Sequence, residues 1–324
     1  MGLTAKANTL CVLEILKEYS DYDNIMKMKD IIAKMKNDYD LKVDRRTVYS
    51  CVAVLSEMGY EISTPEDNGK GYYLETRDFD SSETRMLIDS VFSNPGIPNN
   101  YSAQLVEKLQ KLLPLKKRKT YASLTALGSV RKTDNKEVFL NIDLLEEAIT
   151  NGYKVSFTYL KYDFDKKLKP KKDEQYTVSP YAMVASNEHY YLLCKCDSHE
   201  DSVSQFRIDK IKGIKILDMP CVPQPKDFSP TNYRDRSIFM YGGETGTVTL
   251  NCDNSMLDLV IDRFGSEVRI VKNSDGKTFT ATVTGSLAGI GYWAGNYIDS
   301  CEVVRPESVR QKVIGIIKNN KYGV

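Results

Sequence analysis

Apolar positions at the start of the chain fall into three helical stripes. Residues 6–20 carry Leu10, Val12, Leu13, Ile15, Leu16 and Tyr19, a broad face at the helical period. Residues 26–39 repeat it with Met28, Ile31, Ile32 and Met35 at i, i+3, i+4 and i+7. A third stripe holds Val48, Cys51, Val52, Leu55 and Met58. Asp44 precedes it with a carboxylate suited to an N-cap, and Gly59 comes after it, suited to helix termination. The pattern then changes to strand: 60–64 and 71–75 read as two strands joined by the turn-rich segment 65–71. Three short helices and then a glycine-punctuated hairpin predict a winged helix-turn-helix over residues 1–77.

Helical texture continues over 81–113, with Ser82 as a cap, a break at Asn94-Pro-Gly96 and a stripe of Leu105, Leu109 and Leu112. A basic run at 116–119 comes next, read as a solvated part of a helical connector over 78–140. From 141 to 219 a short helix at 143–151 precedes strand-like runs at 155–159, 176–184, 189–196, 204–208 and 214–217, the signature of a small β-barrel. Pro220, Pro223, Pro225 and Pro230 mark a linker over 220–240, because proline resists both helix and inner strand. Over 241–324 come a strand at 247–251, a helix at 255–264, strands at 268–271 and 278–284, a Gly-rich bend around Trp293, a strand at 301–304 and a helix at 306–318. That order predicts an α+β sandwich, and the whole chain an α+β multidomain protein.

Composition narrows the function classes. A length of 324 residues exceeds the roughly 250–300 at which one core stops growing. The hydrophobic fraction of 41% and charged fraction of 27% are those of a soluble globular chain. No apolar run approaches the ~18 residues of a membrane span, and no signal-like apolar core opens the sequence. The seven cysteines are scattered and odd in number, which is no disulfide framework. A cytoplasmic protein with no membrane partner is therefore expected. A net charge of +1 excludes general coating of nucleic acid. Residues 1–77 even hold 8 Lys and 3 Arg against 7 Asp and 6 Glu, so any basic surface there must be local. Lys42, Arg45 and Arg46 supply it, whereas Glu66 and Asp67 at the hairpin tip would repel phosphate.

The third stripe leaves positions 45, 46, 49, 50 and 53 on the open face of its helix. In a helix-turn-helix the N-terminal residues of this helix meet base edges in the major groove. Arg45 and Arg46 can pair with guanine, Tyr49 and Ser50 can bond base or phosphate, Thr47 suits a phosphate, and Lys70 in the hairpin can reach the backbone. The plain alternative is a helical bundle with a solvated charged face.

The same residues resemble a known family. Val43-Asp-Arg-Arg-Thr-Val-Tyr49, Leu55, Gly59 and Gly69-Lys-Gly-Tyr-Tyr-Leu74 resemble the DNA-binding domain of WYL-type bacterial transcriptional regulators. Val155-Ser-Phe-Thr-Tyr159 resembles the first strand of the WYL module and Val178-Ser-Pro-Tyr181 its second. His189-Tyr-Tyr-Leu192 resembles the Trp-Tyr-Leu that names it, with Tyr190 in place of tryptophan. Phe206-Arg-Ile-Asp-Lys-Ile211 resembles the closing basic strand and turn, with Lys210 where arginine is more usual. Trp293 and the segment 303–306 entering a helix resemble the C-terminal extension. The likeness spans most of 6–318.

The resemblance implies an Sm-like or SH3-like barrel that senses a ligand. The partners it implies are double-stranded DNA, an anionic effector (a nucleotide or short nucleic acid) and a second copy of the chain. The effector-site residues carried over are Tyr159, Ser179, His189, Tyr191, Arg207 and Lys210. Lysine at 210 cannot repeat a planar two-pronged contact with phosphate. The residues by themselves leave two readings open. Alternation puts His189 and Tyr191 on one strand face, and an arginine among aromatics suits a stacked base or phosphate. Alternatively, Arg207 pairs with Asp209 and the tyrosines fill the barrel. A zinc reading of His189, Cys194, Cys196 and His199 fails on spacing and on the opposite faces of His189 and Cys194. No nucleophile arrangement surrounds the histidines, and Gly69-Lys-Gly71, Tyr241-Gly-Gly243 and 285–295 are turn material and form no phosphate loop. The expectation is a homodimeric, effector-responsive regulator on a palindromic operator, not an enzyme, with no cofactor and no metal. The alternative is an RNA- or single-strand-binding accessory factor that works through the barrel.

Overall fold

The structure is a computed structural model. It describes residues 7–118, 131–186, 188–198, 203–226, 228–231, 244–319 and 321, and the backbone of 119–121. The predicted turn at 241–243 and His199 lie outside the described residues. The chain divides into two units, Met1–Lys132 and Thr133–Val324.

In the first unit the three stripes become α1 (Asn8–Tyr19), α2 (Met28–Tyr39) and α3 (Arg45–Glu57). Their apolar faces meet in one core of Val12, Ile15, Leu16, Ile31, Met35, Val48, Val52 and Leu55. Leu10 and Met58, expected in the stripes, are 64% and 66% exposed. Met58 is the C-cap of α3, past its last turn, so its side chain leaves the buried face. Asp44 caps α3 as expected, its carboxylate accepting from the Thr47 N–H at 2.8 Å and the Thr47 hydroxyl at 2.7 Å. Gly59, at φ 93°, turns the chain out of the helix. Few side chains tolerate that conformation.

The hairpin is shorter than its pattern suggests. β1 (Ile62–Ser63) pairs antiparallel with β2 (Tyr73–Leu74), and the expected turn begins with a short helix, α4 (Pro65–Asn68). Asn68 organises the chain between α4 and β2. Its side chain donates to the Ser63 hydroxyl and the Gly71 carbonyl, and accepts from the Lys70 and Gly71 N–H groups. Tyr72 adds a backbone bridge to Met26, with N–H···O bonds of 2.7 and 2.9 Å. Gly71 makes this approach possible, since a Cβ there would run into the Met26 carbonyl. Arg77 then donates to the Lys17 and Ser20 carbonyls at the end of α1. Three more helices complete the unit: α5 (Ser81–Ser93), α6 (Asn99–Gln110) and α7 (Leu115–Tyr121).

The second unit opens with α8 (Val138–Asn151), longer than the helix expected at 143–151. Six antiparallel strands come next, curled into a half-barrel: β3 (Tyr153–Tyr162), β4 (Leu168–Pro170), β5 (Tyr176–Ser186), β6 (His189–Cys196), β7 (Val203–Arg207) and β8 (Ile211–Pro220). β3 is the hub. Val155 pairs with Val178 of β5 on one edge and Ile216 of β8 on the other, and the far end of β3 pairs with β4. Leu145 and Ala148 of α8 fill the concave side with Phe157, Leu192 and Phe206. The proline-rich segment lies along the opposite face of the sheet. There the Tyr181 hydroxyl donates to the Pro223 carbonyl at 3.2 Å, and Phe228 packs 5.4 Å from the Tyr181 ring.

The chain ends in a sheet of order β10-β11-β9-β12, formed by β9 (Thr245–Asp253), β10 (Arg269–Lys272), β11 (Thr278–Ser286) and β12 (Cys301–Arg305). α9 (Leu257–Phe264), α10 (Leu287–Gly295) and α11 (Glu307–Lys318) contribute to the core against it. The Gly-rich stretch at 285–295 is thus mostly a helix, not the expected bend. Its glycines serve packing: a Cβ on Gly291 would sit 3.3 Å from Val309 of α11. Among the described residues no helix is long and apolar enough to cross a membrane.

Candidate functional site

Two groups of side chains stand out, one in each unit. On the first, α3 buries Val48, Cys51, Val52 and Leu55, which turns Arg45, Arg46, Tyr49, Ser50 and Ala53 outward. Lys42, in the turn before α3, is also exposed. Thr47 differs from its expected role, because its hydroxyl proton goes to Asp44 and it is half-buried. Asp44 stays below the usual carboxylate range because it accepts the Thr47 N–H and hydroxyl, so the cap is anionic at neutral pH. Tyr49 is 56% exposed, yet its hydroxyl meets that of the buried Tyr72. Burial first, then this hydrogen bond, pushes Tyr72 up to about 12. That contact ties the open face of α3 to the ribbon. Lys70 is exposed near the ribbon's tip. So are Glu66 and Asp67, and Asp67 stays ionised because it accepts the Thr64 N–H and hydroxyl. The surface is therefore cationic at α3 and mixed at the ribbon.

The second group gathers at the end of β6 and β7. Tyr191 pairs directly with Arg207, which puts both side chains on one face with His189. Arg207 and Asp209 form a two-pronged ion pair, Nε to Oδ1 at 3.0 Å and an Nη to Oδ2 at 2.7 Å. Burial opposes the guanidinium charge, but the Asp209 hydrogen bonds and charge outweigh it and raise the Arg207 pKa. Tyr159 reaches the group from the barrel interior: its ring packs 5.0 Å from Phe206 and its hydroxyl accepts from the Arg207 N–H at 3.3 Å. Lys210 lies 5.7 Å from the Tyr162 ring centre, and burial, then the Arg207 charge, lowers its pKa. Burial and Arg207 also lower His189, which is neutral at pH 7.

Five of the six expected effector residues thus share one neighbourhood, and Ser179 does not. It pairs with Lys195, four positions along β6 from Tyr191, and its fully buried hydroxyl accepts from the Val222 N–H at 3.0 Å. Its role here is to hold the proline-rich segment. Arg207 does pair with Asp209, yet the group keeps unused capacity. His189 Nδ1 and Gln205 Oε1 are buried with no hydrogen-bond partner among the described residues. Gln205 lies on the Arg207 face, and alternation along 203–207 could have marked it. Asn135 and Asn141 had no such signal. Their side-chain amides donate to the Asp209 and Ile211 carbonyls at 2.7–3.0 Å and fix the turn that aims Asp209 and Lys210. No cluster of metal-ligand type occurs among the described residues.

Comparison with known proteins identifies one part of the chain. The WYL domain family model matches residues 141–216, from α8 into β8. No curated protein matches. Among solved structures, the proteasome accessory factor B/C of Arthrobacter aurescens is 14% identical, with 99% of this chain and 50% of that chain covered and a TM-score of 0.28. This chain thus spans half the length of that relative. A CRISPR Cas-related protein is 12% identical, with 98% and 86% covered and a TM-score of 0.37. At such scores the family match alone carries the assignment: residues 141–216 are a WYL domain.

Proposed function

We propose that this WYL-domain chain is an effector-responsive transcriptional regulator whose N-terminal unit is a winged helix-turn-helix that reads duplex DNA. The observation that carries this reading is the open face of α3, where Arg45, Arg46, Tyr49 and Ser50 are exposed together on a helix otherwise anchored by its core face. The ribbon from β1 to β2 serves as the wing, with Lys70 near a backbone phosphate. Lys42 and Arg45 supply local charge in a unit that has little overall. The protein acts as a homodimer, its two α3 helices one DNA turn apart, about 34 Å, on a palindromic site.

The effector is an anion, a nucleotide or short nucleic acid, bound where Arg207, Lys210, His189, Tyr191 and Tyr159 converge. Support comes from the unsatisfied His189 and Gln205 atoms beside a preformed guanidinium. The effector acts only if it binds the DNA-competent and DNA-incompetent dimers with different affinity. The test is a titration of selected genomic duplexes by mobility shift. Arg46→Ala is expected to weaken specific binding by ~1–3 kcal/mol, the worth of one good arginine–guanine pair. Unchanged affinity contradicts the reading. Arg207→Ala is expected to keep DNA binding and lose the effector response.

A further inference from the structure

The C-terminal sheet carries two thiols that neither the Arg207 group nor the open face of α3 uses. Cys252, near the end of β9, stands directly opposite Cys301, the first residue of β12. Both are free thiols. The Asp253 N–H donates to the Ser300 carbonyl at 2.9 Å, one step along, so the two cysteines form a non-hydrogen-bonded pair of the antiparallel ladder. In such a pair the Cα atoms lie about 4.5 Å apart, inside the roughly 4.4–6.8 Å that a disulfide spans. The two Sγ atoms are already only 3.5 Å apart.

Cys252 is 1% exposed and Cys301 6%, so the plain reading is two small side chains that fill the core of the sheet. Two observations go beyond it. Cys301 also lines an open groove of about 220 Å³ between β12 and α11, walled by Ile298, Val313, Ile314 and Ile317. The Glu302–Arg310 ion pair, at 2.7 Å, borders it. A molecule the size of water can approach Cys301 from there. The second observation is that the thiols do not ionise alike. The hydrogen bond between them lowers the Cys252 pKa against the effect of burial. The same bond, then burial, holds the Cys301 proton well above its ordinary range. The pair thus releases a first proton more readily than a lone thiol and keeps the second. The thiolate is the reactive form of cysteine.

We propose that Cys252 and Cys301 are a peroxide-reactive dithiol, closed to a disulfide by hydrogen peroxide entering through this groove and reopened by a reducing thiol. The two sulfurs share one proton across their contact, and its transfer to Cys252 leaves the thiolate on Cys301. That thiolate attacks one peroxide oxygen, the O–O bond breaks and hydroxide leaves, so that Cys301 becomes a sulfenic acid. The Cys252 sulfur then attacks the Cys301 sulfur, the S–O bond breaks, and the departing hydroxide takes the Cys252 proton as water. In sum, two S–H groups and one hydrogen peroxide give one S–S bond and two waters. The sulfurs together lose the two electrons that the peroxide gains. A small dithiol reverses the step and is itself oxidised to its disulfide. The bond ties the edge strand β12 to β9 and closes a loop of 49 positions, which restricts the unfolded chain. In a reducing compartment such a bond is transient, as a redox sensor requires. The dithiol does not depend on the operator or effector readings.

The experiment is a hydrogen peroxide titration of the reduced full chain, read by intact mass, by peptide mapping without reductant and by melting temperature. The expected result is a loss of two hydrogens per chain, with the Cys252 and Cys301 peptides joined. The melting temperature is expected to rise by about 5–15 °C, the effect of closing a loop of this length in a domain of this size. Dithiothreitol is expected to reverse both changes. Cys252→Ser leaves the groove-lining thiol without its partner. This variant is expected to stop at the sulfenic acid, trapped on Cys301 by dimedone, with no rise in melting temperature. The mapping of the unaltered chain needs no variant, so a variant that fails to fold leaves the test intact. Three results would overturn the proposal: both thiols still reduced when the half-buried Cys221 is already oxidised, a disulfide that joins either of them to a different cysteine, or a crosslink that dithiothreitol leaves in place.

Discussion

His189 ties the stability of the half-barrel to pH. Burial, then the Arg207 charge, depresses its folded-state pKa below the ordinary value of about 6.5. The unfolded chain therefore binds the proton better. Its contribution to stability is complete above pH ~6.5 and falls as pH drops below that value toward the folded pKa. His189→Gln is expected to flatten urea-denaturation stability over that window, and an identical pH profile contradicts the assignment. An anion docked on Arg207 would offset the charge that opposes His189 protonation, so effector binding should take up protons in the same window. Gly71 offers a test of a different kind. Gly71→Ala forces a Cβ into the Met26 carbonyl, and the cost expected is ~1–3 kcal/mol, read as a lower denaturation midpoint. At this scale the sequence was partly legible. Period placed Arg45, Arg46, Tyr49 and Ser50 outside and Val48 and Leu55 inside. Asn135 and Asn141 carry no signal in sequence, because each bonds backbone groups far along the chain that only folding brings within reach.

Elements were most legible where apolar period and end signals agreed. α3 has both a core stripe and the Asp44 cap, and the structure has both. Asp44→Ala is expected to fray the first turn of α3 and lower DNA affinity along with stability, whereas Asp44→Asn, which keeps an acceptor oxygen, should retain most of each. Equal losses in both variants, measured by helix content and mobility shift, would mean that the carboxylate charge and not the cap matters. β4 carries little strand signal in sequence, because it has only three residues, ends in Pro170 and is flanked by two lysines. Proline is tolerated there because β4 is an edge strand. The glycines of α10 signal a turn in sequence, but here the lack of a side chain lets α11 approach. The turn after β7 shows the reverse case. Its shape depends on Asn135 and Asn141 beneath it, and Asn135→Leu, which takes a donor from both the Asp209 and the Ile211 carbonyls, is expected to cost ~1–3 kcal/mol. An effector affinity that survives this change would show that the turn holds without its clamp.

For the whole molecule, the sequence suggested several domains, and the fold places helices and a ribbon in one unit and two antiparallel sheets in the other. Only the WYL domain is also fixed by comparison with known proteins. Operator reading, dimer symmetry and effector response are what we propose for the assembled protein, and each is tested with its partner present. The most direct measurement is selection of bound fragments from native genomic duplex by the full chain, in parallel with its Arg46→Ala variant. The account predicts an inverted repeat whose half-sites are centred about 10 base pairs apart or a multiple of that, lost or relaxed at one base pair in the variant. No enrichment over random duplex, or the same enriched sequence with both proteins, would contradict it.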